Sequence, residues 1–487
     1  MRFSEYYGLK KNQQHLDFVD IPLDTDIPVF LDPSSIKSIN SAWGNELTSC
    51  LQSFFDKVIT LMSQGNQEGA IKLLSRLNES NEYHLGYSSG ASKGKGFGKD
   101  SATSVWLALT RSKVISTGLL KDLEDTALLI PGIGIDMISD AVCNILRGPF
   151  IRYTQNMCEY YGVKLEKNIA SGSIWDAHKQ CWYDELVSLP KTSYGKVILV
   201  PKNLVRHQLS YDSDEYYRHY LLPAMQEEHL NSNSSLVQVL KSGERRVTKK
   251  SLIKEYGNNK DSVGKQTLSR KNILDEYKED KQIGLKPLTL EEFHLMESNQ
   301  NKLNDNFNEE IRKELNQLVS DMMALPTGAS KASEYEDIIE KIFTIIFYPS
   351  LVYPSKQHKI HNDRKRIDIT YTNESKEGFF YWLSAHYCCP FMFVECKNYS
   401  NEINNPELDQ ISGRFSPSRG KVGILVCRKI KNKKLFMARC IDTKNDDRGY
   451  IIPLDDEDVK KLAEDYLDTE NNQDFPLLRK IFRDLVN

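Results

Sequence analysis

Two acidic residues and a lysine in the C-terminal third of the chain have the types and spacing of a metal-dependent hydrolytic site. Asp368 lies in an apolar alternation that reads IDI, and the apolar run 391–394 leads directly into the triplet ECK, which contains Glu395 and Lys397. Strand side chains alternate between two faces, so Glu395 and Lys397 project to the same side. If Asp368 lies on the neighbouring strand, two carboxylates and one ammonium group meet at one point.

Such a group of side chains suits the hydrolysis of phosphodiester bonds. Carboxylate oxygens are hard ligands for Mg²⁺, which binds phosphate oxygens and keeps several waters. Lys397 can hold the attacking water or offset negative charge on the phosphate. A bare Glu-x-Lys triplet is common at exposed strand ends. Here it is accompanied by an upstream carboxylate and by the downstream Gln410. We therefore expect Mg²⁺ as the cofactor, with Mn²⁺ as a substitute.

The first carboxylate has one alternative. Asp363 lies upstream of Asp368, but in the polar run HNDRKR rather than in an apolar alternation. We favour Asp368 for that reason. The histidines show no HxH, HExxH or HNH-like arrangement, and the nearby His358 and His361 are expected to be exposed. A zinc or histidine-metal nuclease is therefore disfavoured.

The segment resembles the PD-(D/E)xK nuclease superfamily, in particular its Mrr-like restriction endonuclease branch. In that family a helix with a Glu comes first, then a strand with an Asp, the Glu-x-Lys strand and a helix with a Gln. The resemblance covers about the last third of the chain and implies a mixed sheet flanked by helices. The matching parts are the helix 333–347 with Glu336, then Asp368, Glu395, Lys397 and Gln410, and the strand 421–428, which would close the sheet.

The resemblance also implies how the metal is held. Asp368, Glu395 and the backbone carbonyl of Cys396 would ligate it, and Lys397 would act on the water or on the scissile phosphate. One departure from the family is the longer interval between the two carboxylates. Residues 374–390 lie in that interval and would form an inserted helix or hairpin.

Flanking helices are expected to contribute three further side chains. Glu336 would point into the site from the first helix, and Gln410 would approach the Glu-x-Lys strand from the following helix. Arg414 would lie one turn beyond Gln410 on the same face, near phosphate. The alternative for Glu336 is a solvated helix residue, since several other acidic residues lie close to it in sequence.

Bulk composition limits the remaining possibilities. The chain has 487 residues, a net charge of −3 and nine scattered cysteines without a CxxC pair. A nucleic-acid surface must therefore be a local patch, and neither a disulfide framework nor a zinc site is expected. The first residues lack an apolar signal region, and no apolar run approaches about 18 residues. We expect a soluble, cytoplasmic protein without a membrane partner.

Linker composition predicts two parts. The segment PTGASKAS, residues 326–333, is the best linker in the chain. The preceding region, 1–325, is expected to be an α-rich α+β recognition or regulatory region. The region 334–487 is expected to be the α/β nuclease domain. Helices are predicted within 46–79, 103–147 and 289–325, and a buried strand over 195–201.

The strongest local basic run precedes a helix-like segment near the middle of the chain. It contains Arg245, Arg246, Lys249 and Lys250. Such runs are usually solvated faces, but beside a nuclease site a phosphate-contacting surface becomes plausible. A glycine-rich loop offers a second candidate. Its lysines are Lys93, Lys95 and Lys99.

That glycine-rich loop is not a nucleotide-binding loop. Gly98-Lys99 is followed by Asp100 rather than Ser or Thr, and Lys93 occupies the position of the first glycine. Two readings stay open, a cationic loop on a nucleic-acid backbone and a solvated surface loop.

Residues 128–146 resemble a helix-hairpin-helix motif. Gly132 and Gly134 precede the second helix, where backbone amides could approach a phosphate. Asp136 and Asp140 follow, however, and carboxylates suit the helix dipole rather than a phosphate. A structural helical corner is therefore favoured over contact with DNA.

The residues together predict a metal-dependent endodeoxyribonuclease that acts on double-stranded DNA. The family resemblance suggests bacterial restriction or antiphage defence. Two alternatives remain open. The N-terminal region could sense a phage product or ligand and release nuclease activity, or the C-terminal part could be a non-catalytic binding module. A protein partner or a homo-oligomer is compatible with each reading.

Overall fold

Two hydrophobic cores organise the chain. The computed structural model describes residues 1–77, 80–86, 120–297, 305–355, 369–401, 403–468 and 473–487. Buried apolar side chains of the first core run from Phe3 to Phe293, and those of the second run from Leu290 to Leu485. The protein is a mixed α/β structure, as the sequence predicted.

Amphipathic helices build most of the N-terminal core. The longest begins where the Ser41 side chain accepts a hydrogen bond from the Gly44 amide at 3.1 Å. Its buried residues recur at helical spacing, so one apolar face turns to the core. The helices are α1 Phe3–Tyr6, α2 Pro33–Lys37, α3 Ala42–Ser63, α4 Gln67–Leu74, α5 Asp125–Leu129, α6 Ile135–Ile145, α7 Arg147–Tyr161, α8 Ser213–Tyr216, α9 Leu222–Asn231, α10 Lys249–Tyr256, α11 Lys260–Leu268 and α12 Lys271–Ile283.

Short antiparallel ladders complete this part. They pair β1 with β8, β2 with β5, β3 with β4, β6 with β7 and β9 with β10. The strands are β1 Phe30–Leu31, β2 Glu166–Ala170, β3 Ile174–Asp176, β4 Cys181–Tyr183, β5 Leu186–Leu189, β6 Lys191–Thr192, β7 Gly195–Lys196, β8 Val205–Arg206, β9 Gln238–Val239 and β10 Arg245–Arg246.

The buried strand predicted over 195–201 is only partly correct. Residues 197–201 are buried, but the two-stranded ladder covers only Gly195–Lys196, where Gly195 is exposed. Beyond it the backbone bonds to loops: the amide of Ile198 donates to the Glu82 carbonyl, and the amide of Val19 donates to the Val200 carbonyl. The apolar run therefore predicted burial correctly and strand pairing incorrectly.

The glycine-containing segment 128–146 forms a helical corner between α5 and α6. Gly132 has a φ of +85°, and Gly134 is the N-cap of α6. The ammonium group of Lys260 donates to the Ile133 carbonyl at 2.9 Å, which holds the turn against α11. A structural role accounts for these contacts, and contact with DNA stays untested.

A five-stranded mixed sheet lies at the centre of the C-terminal core. Its order is β11-β12-β13-β14-β15, antiparallel from β11 to β13 and parallel from β13 to β15. The predicted strand 421–428 is β14, but β15 pairs outside it, so β14 does not close the sheet. The strands are β11 Leu351–Ser355, β12 Ile369–Asn373, β13 Phe391–Lys397, β14 Val422–Cys427 and β15 Tyr450–Asp455.

Helices cover both faces of this sheet, so β13 and β14 are buried almost throughout. The inserted segment 374–390 contains a helix rather than a hairpin. On one face α14, α15 and α19 contact one another, and on the other α17, α18 and α20 pack together. The helices are α13 Leu290–Glu297, α14 Asp305–Ala324, α15 Ala332–Ile346, α16 Gly378–His386, α17 Asn405–Ser412, α18 Lys433–Asn445, α19 Asp456–Asp468 and α20 Pro476–Val486.

The helix α14 belongs to the C-terminal core by its packing. Phe307, Ile311, Leu315 and Met322 of this helix are buried within the second core. The predicted linker 326–333 follows α14 and therefore lies inside the packing of the second core. The two cores divide near residue 290, upstream of that linker.

Polar contacts join the two cores at the β11–β12 pair. Asp17 accepts a hydrogen bond from the Tyr353 amide at 2.8 Å, and the Asn203 amide donates to the Tyr353 hydroxyl at 2.8 Å. At the end of β12, the Asn40 backbone amide donates to the Glu374 carboxylate at 3.0 Å. The N-terminal part thus holds two strands of the C-terminal sheet.

Candidate active site

The strand β13 carries two of the predicted side chains in the middle of the sheet. Glu395 is 1% exposed, and the Lys397 side chain is 10% exposed. The neighbouring strands fix the position of β13 on both sides, antiparallel to β12 and parallel to β14. A buried carboxylate beside a buried ammonium group is costly to desolvate, so their arrangement needs a compensating partner.

One carboxylate oxygen of Glu395 accepts two hydrogen bonds from neighbouring side chains. The ammonium group of Lys397 donates to Oε1 at 2.8 Å, and the Gln410 amide donates to the same oxygen at 2.5 Å. The second oxygen, Oε2, is buried and accepts no hydrogen bond from the part of the chain that the structure describes. A buried acceptor left unsatisfied costs about 1–3 kcal/mol, and more when it is charged. Oε2 is therefore available to a ligand that brings its own positive charge.

Gln410 reaches Glu395 because α17 follows β13 and folds back over the same face. The helix opens with a capping box between Asn404 and Glu407. Leu408 and Ile411 are buried and fix its rotation. The amide side chain of Gln410 therefore points at the strand, where the sequence predicted it.

Asp368, and the alternative Asp363, lie outside the described residues, which resume at Ile369. Within the described ranges, no group of three or more potential ligands forms a metal cluster. Glu395 and the Cys396 carbonyl remain the described members of the predicted ligand set.

Glu336 lies on α15, which packs on the opposite face of the sheet from Gln410. The hydroxyls of Thr344 on α15 and Tyr371 on β12 are 3.4 Å apart, so α15 packs on the face of the sheet that carries Tyr371. Tyr371 pairs with Met392, and Met392 lies on the opposite face of β13 from Glu395. Glu336 is half-buried, and its side chain would have to extend around the end of the sheet to reach the Glu395 carboxylate. Its predicted role stays a prediction.

Arg414 lies two residues beyond the end of the helix that carries Gln410. The helix α17 ends at Ser412, and Arg414 follows in the turn, where it is 3% exposed. A contact of Arg414 with phosphate stays a prediction.

The basic run in the N-terminal part is exposed. Arg245 and Arg246 lie on β10, and Lys249 and Lys250 open α10. Arg245 donates to the Leu230 carbonyl at 2.9 Å, a contact within the N-terminal part. None of the four forms an ion pair within the described ranges. The other predicted cations, Lys93, Lys95 and Lys99, lie outside the described residues.

Sequence reasoning missed a second basic run, which follows the C-terminal end of β14 near Lys397. Lys397 pairs in register with Cys427, the last residue of β14, and the sequence RKIKNKK follows directly. Lys429, Lys431 and Lys434 are exposed in this run and form no ion pair within the described part of the chain. The sequence feature that could have revealed this run is the density of lysines between a buried strand and a helix.

Asn398 was also missed, although it follows Lys397 directly. Its side chain is buried and donates to the carbonyls of Pro326 and Gly328 at 3.1 and 3.0 Å. The Gly328 amide donates to the Asn398 carbonyl at 2.7 Å. These bonds fix the predicted linker at the end of β13, and the sequence gave no sign of them.

Carboxylates at the end of β15 are engaged by neighbouring cations. Asp455 pairs with Lys433 at 3.1 Å, and Asp456 pairs with Arg428 at 2.8 Å. The Tyr335 hydroxyl also donates to Asp456. Burial raises the pKa of Asp456 to about 6. These contacts explain the two carboxylates as structural groups beside the candidate site.

Comparison with known proteins gives one family match. Residues 8–212 match a family described as a domain of unknown function, DUF8370. That match lies within the N-terminal part and ends well before the mixed sheet. No curated protein and no solved structure matches the chain significantly. Among the described residues, no helix has both the length and the apolar character needed to cross a bilayer.

Proposed function

We propose that the C-terminal part is a metal-dependent nuclease domain of the PD-(D/E)xK type that hydrolyses DNA. The observation that carries the proposal is the buried Glu395 carboxylate. Its Oε1 is held by Lys397 and Gln410, while its Oε2 has no partner among the described residues. A divalent cation at Oε2 would offset the buried charge, so the residues fit the expected metal.

The order of the elements supports this proposal. The helix α15 is followed by β11, β12 and β13, then by α17 and β14. In the PD-(D/E)xK superfamily, a helix likewise precedes the Asp strand and the Glu-x-Lys strand, and a helix with a Gln follows them. The antiparallel β12–β13 pair gives adjacent strands on which two acidic ligands can meet.

The strand register supports Asp368 as the second ligand. Ile369 pairs with Val394 and Thr370 with Phe393. The proposal requires this ladder to extend by one residue, which would set Asp368 opposite Glu395 on the same face. Asp363 would not fall at that register position, so the proposal retains Asp368.

Each described residue then has a separate task. A bound Mg²⁺ or Mn²⁺ supplies positive charge at the phosphate and activates water at neutral pH. Glu395 and the Cys396 carbonyl would hold the ion. Lys397 would stabilise the developing negative charge, and Gln410 would keep the Glu395 carboxylate oriented.

The proposed substrate is double-stranded DNA, cut internally. The exposed lysines Lys429, Lys431 and Lys434 adjoin the strand end that carries Lys397, which suits contact with a phosphate backbone. We place the activity in bacterial restriction or antiphage defence by resemblance to the nuclease superfamily alone.

Cleavage of supercoiled plasmid by the full-length chain tests the proposed function. Nicked or linear DNA should form with Mg²⁺ or Mn²⁺ and should not form with EDTA. Binding of the plasmid without any cleavage would instead favour the non-catalytic module. Equal cleavage with and without EDTA would overturn the metal dependence.

A sensor-effector is a second candidate, favoured by the contacts between the two cores. Asp17 and Asn203 both hold Tyr353 on β11. Tyr353→Phe removes both hydrogen bonds between the hydroxyl and the Asn203 side chain and keeps the bond from the Tyr353 backbone amide to Asp17. A change in the cleavage rate of several-fold, with unchanged Mn²⁺ affinity, would favour coupling. An unchanged rate would favour a constitutive nuclease.

A further inference from the structure

Tyr399 presents an exposed aromatic ring beside the candidate site. It lies two residues beyond Lys397, the last residue of β13. Tyr399 is 45% exposed, belongs to neither hydrophobic core and forms no hydrogen bond through its hydroxyl within the described residues. The centroid of its ring lies 5.9 Å from the Lys397 ammonium group, within the range of a cation–π contact. The ring is therefore available to a ligand that reaches Lys397.

Tyr399 follows the edge of the sheet at which two parallel strands end. Lys397 and Cys427 are the last residues of β13 and β14, and they pair in register. Beyond them the two segments stay side by side, because the Arg428 guanidinium group donates to the Asn398 side-chain oxygen at 3.3 Å. Ligands of open α/β sheets bind outside the carboxyl ends of such strands. A substrate of the candidate site would therefore approach along the side that carries Tyr399.

Unpaired cations lie at the same edge of the sheet. Lys429, Lys431 and Lys434 are exposed and form no ion pair within the described ranges. The carboxylates at this edge, Asp455 and Asp456, are already paired with other cations. Proteins bind unpaired nucleic acid by this combination of groups, because cations follow the backbone while an aromatic ring stacks on a base.

An exposed ring distinguishes unpaired bases from paired ones. In an intact duplex each base is stacked between its neighbours, so neither of its faces is open to a side chain. Taking a base out of the stack costs energy, and the cost is smallest when the base is mismatched or already unpaired. The ring and the Lys397 ammonium group are only 5.9 Å apart, so a phosphate at Lys397 brings an adjoining unpaired base within reach of Tyr399.

We propose that Tyr399 stacks on an unpaired base next to the phosphate that Lys397 contacts. The preferred substrate is then double-stranded DNA with a local interruption, such as a bulged nucleotide, rather than a fully paired duplex. The inference rests on the proposed nuclease function for the cleavage step and names the class of substrate for that same site. Stacking itself can be measured without cleavage.

Fluorescence anisotropy of labelled DNA with the full-length protein tests the inference, with EDTA present so that no metal-dependent cleavage occurs. The two probes are a fully paired duplex and the same duplex with one bulged nucleotide. Loss of one stacked base typically weakens binding roughly 5- to 150-fold, so the bulged duplex should bind at least about fivefold more tightly. Equal affinities overturn the inference. Absence of binding to both probes at about 100 µM protein, the weak end of non-specific affinity, also overturns it.

Variants with a matched control show whether the ring of Tyr399 carries the preference. Tyr399→Ala removes the ring and should bind both probes equally, whereas Tyr399→Phe keeps a stacking face and should keep the wild-type ratio. Tyr381→Ala removes a ring of similar exposure, 47%, from α16 and should leave the ratio unchanged. A preference for the bulge that survives in Tyr399→Ala overturns the inference.

The same probes separate this inference from the proposed function. A preference for the bulge in EDTA, with no cleavage of either probe after Mg²⁺ is added, would support stacking and reject the nuclease function. Mg²⁺-dependent cleavage at equal rates on both probes, with equal affinities, would support the nuclease function and overturn stacking.

Discussion

Gln410 and Glu395 are joined by a hydrogen bond of 2.5 Å from the helix α17 to the central strand β13. The bond determines which carboxylate oxygen stays available. Gln410 and Lys397 both donate to Oε1, so Oε2 is left for a cation. A side chain that touches no substrate can therefore orient the group that would hold the metal.

Replacing Gln410 should weaken metal binding. In Gln410→Ala the Glu395 carboxylate loses one of its two donors and can rotate. Loss of such an orienting partner typically costs 10- to 100-fold in affinity, so a loss of roughly tenfold or more is expected for Mn²⁺. Calorimetric titration measures it. Asp409→Asn on the exposed face of the same helix is the control, and equal affinities would contradict the orienting role.

Removal of the Lys397 ammonium group should impair cleavage more than metal binding. Lys397→Ala is expected to lower the cleavage rate by roughly 10²-fold or more, the usual cost of one preorganised charge. Mn²⁺ affinity should fall less than in Gln410→Ala, because the variant loses one donor to Oε1 but also loses a positive charge that repels the cation. Lys480→Ala, at an exposed position of α20, is the control. Lost metal affinity with intact cleavage would show that this role is wrong.

The two basic runs can be separated by their effect on the salt dependence of DNA binding. Each phosphate contact contributes about 0.9 to the slope of log affinity against log salt. Exchanging Lys429, Lys431 and Lys434 for Gln should flatten the slope by roughly 2 to 3 units if each lysine contacts one phosphate. An unchanged slope would place the DNA path elsewhere.

The N-terminal run is tested by the same measurement. Neutralising Arg245, Arg246, Lys249 and Lys250 should weaken binding uniformly across DNA sequences and flatten the slope. Metal binding should not change, because these residues belong to the N-terminal part. A slope equal to that of the wild type would show that this run is only a solvated face.

Stability should decline as the pH falls below about 6.5, in part because of His15. Its folded pKa is lowered to about 3 by burial and by Lys11, Lys341 and Lys202, while Asp337 acts in the opposite direction. Between these values the unfolded chain binds a proton that the folded chain does not, so stability is lost on acidification. Urea unfolding at pH 7 to 4.5 should show a shallower decline in His15→Asn. Exposed His178→Asn is the control, and parallel curves would contradict the assignment.

The sequence predicted local features of the fold better than pairings between distant elements. Apolar patterning located α3, α4 and α14, because one face of each helix is buried, and the family resemblance located α15. The pairing of β15 outside β14 was missed, since strand order depends on contacts between distant segments. The buried run 197–200 looked like a strand, yet its amides bond to loops.

The candidate site was predictable where strand alternation alone decides the geometry. Glu395 and Lys397 share a face because they are two residues apart on β13. The bond from Gln410 agrees with what the family resemblance implied. The contacts of Asn398 and Tyr353 could not be predicted, because their partners lie far away in sequence.

The central claim is a divalent metal held by the available oxygen of Glu395. A crystal of the full-length protein soaked in Mn²⁺ measures this directly through anomalous scattering, with Glu395→Gln as the matched variant. We predict a peak coordinated by Glu395 Oε2 and a second carboxylate, and no such peak in the variant. Mn²⁺ bound elsewhere, or an uncoordinated Oε2 at saturating Mn²⁺, would contradict the account.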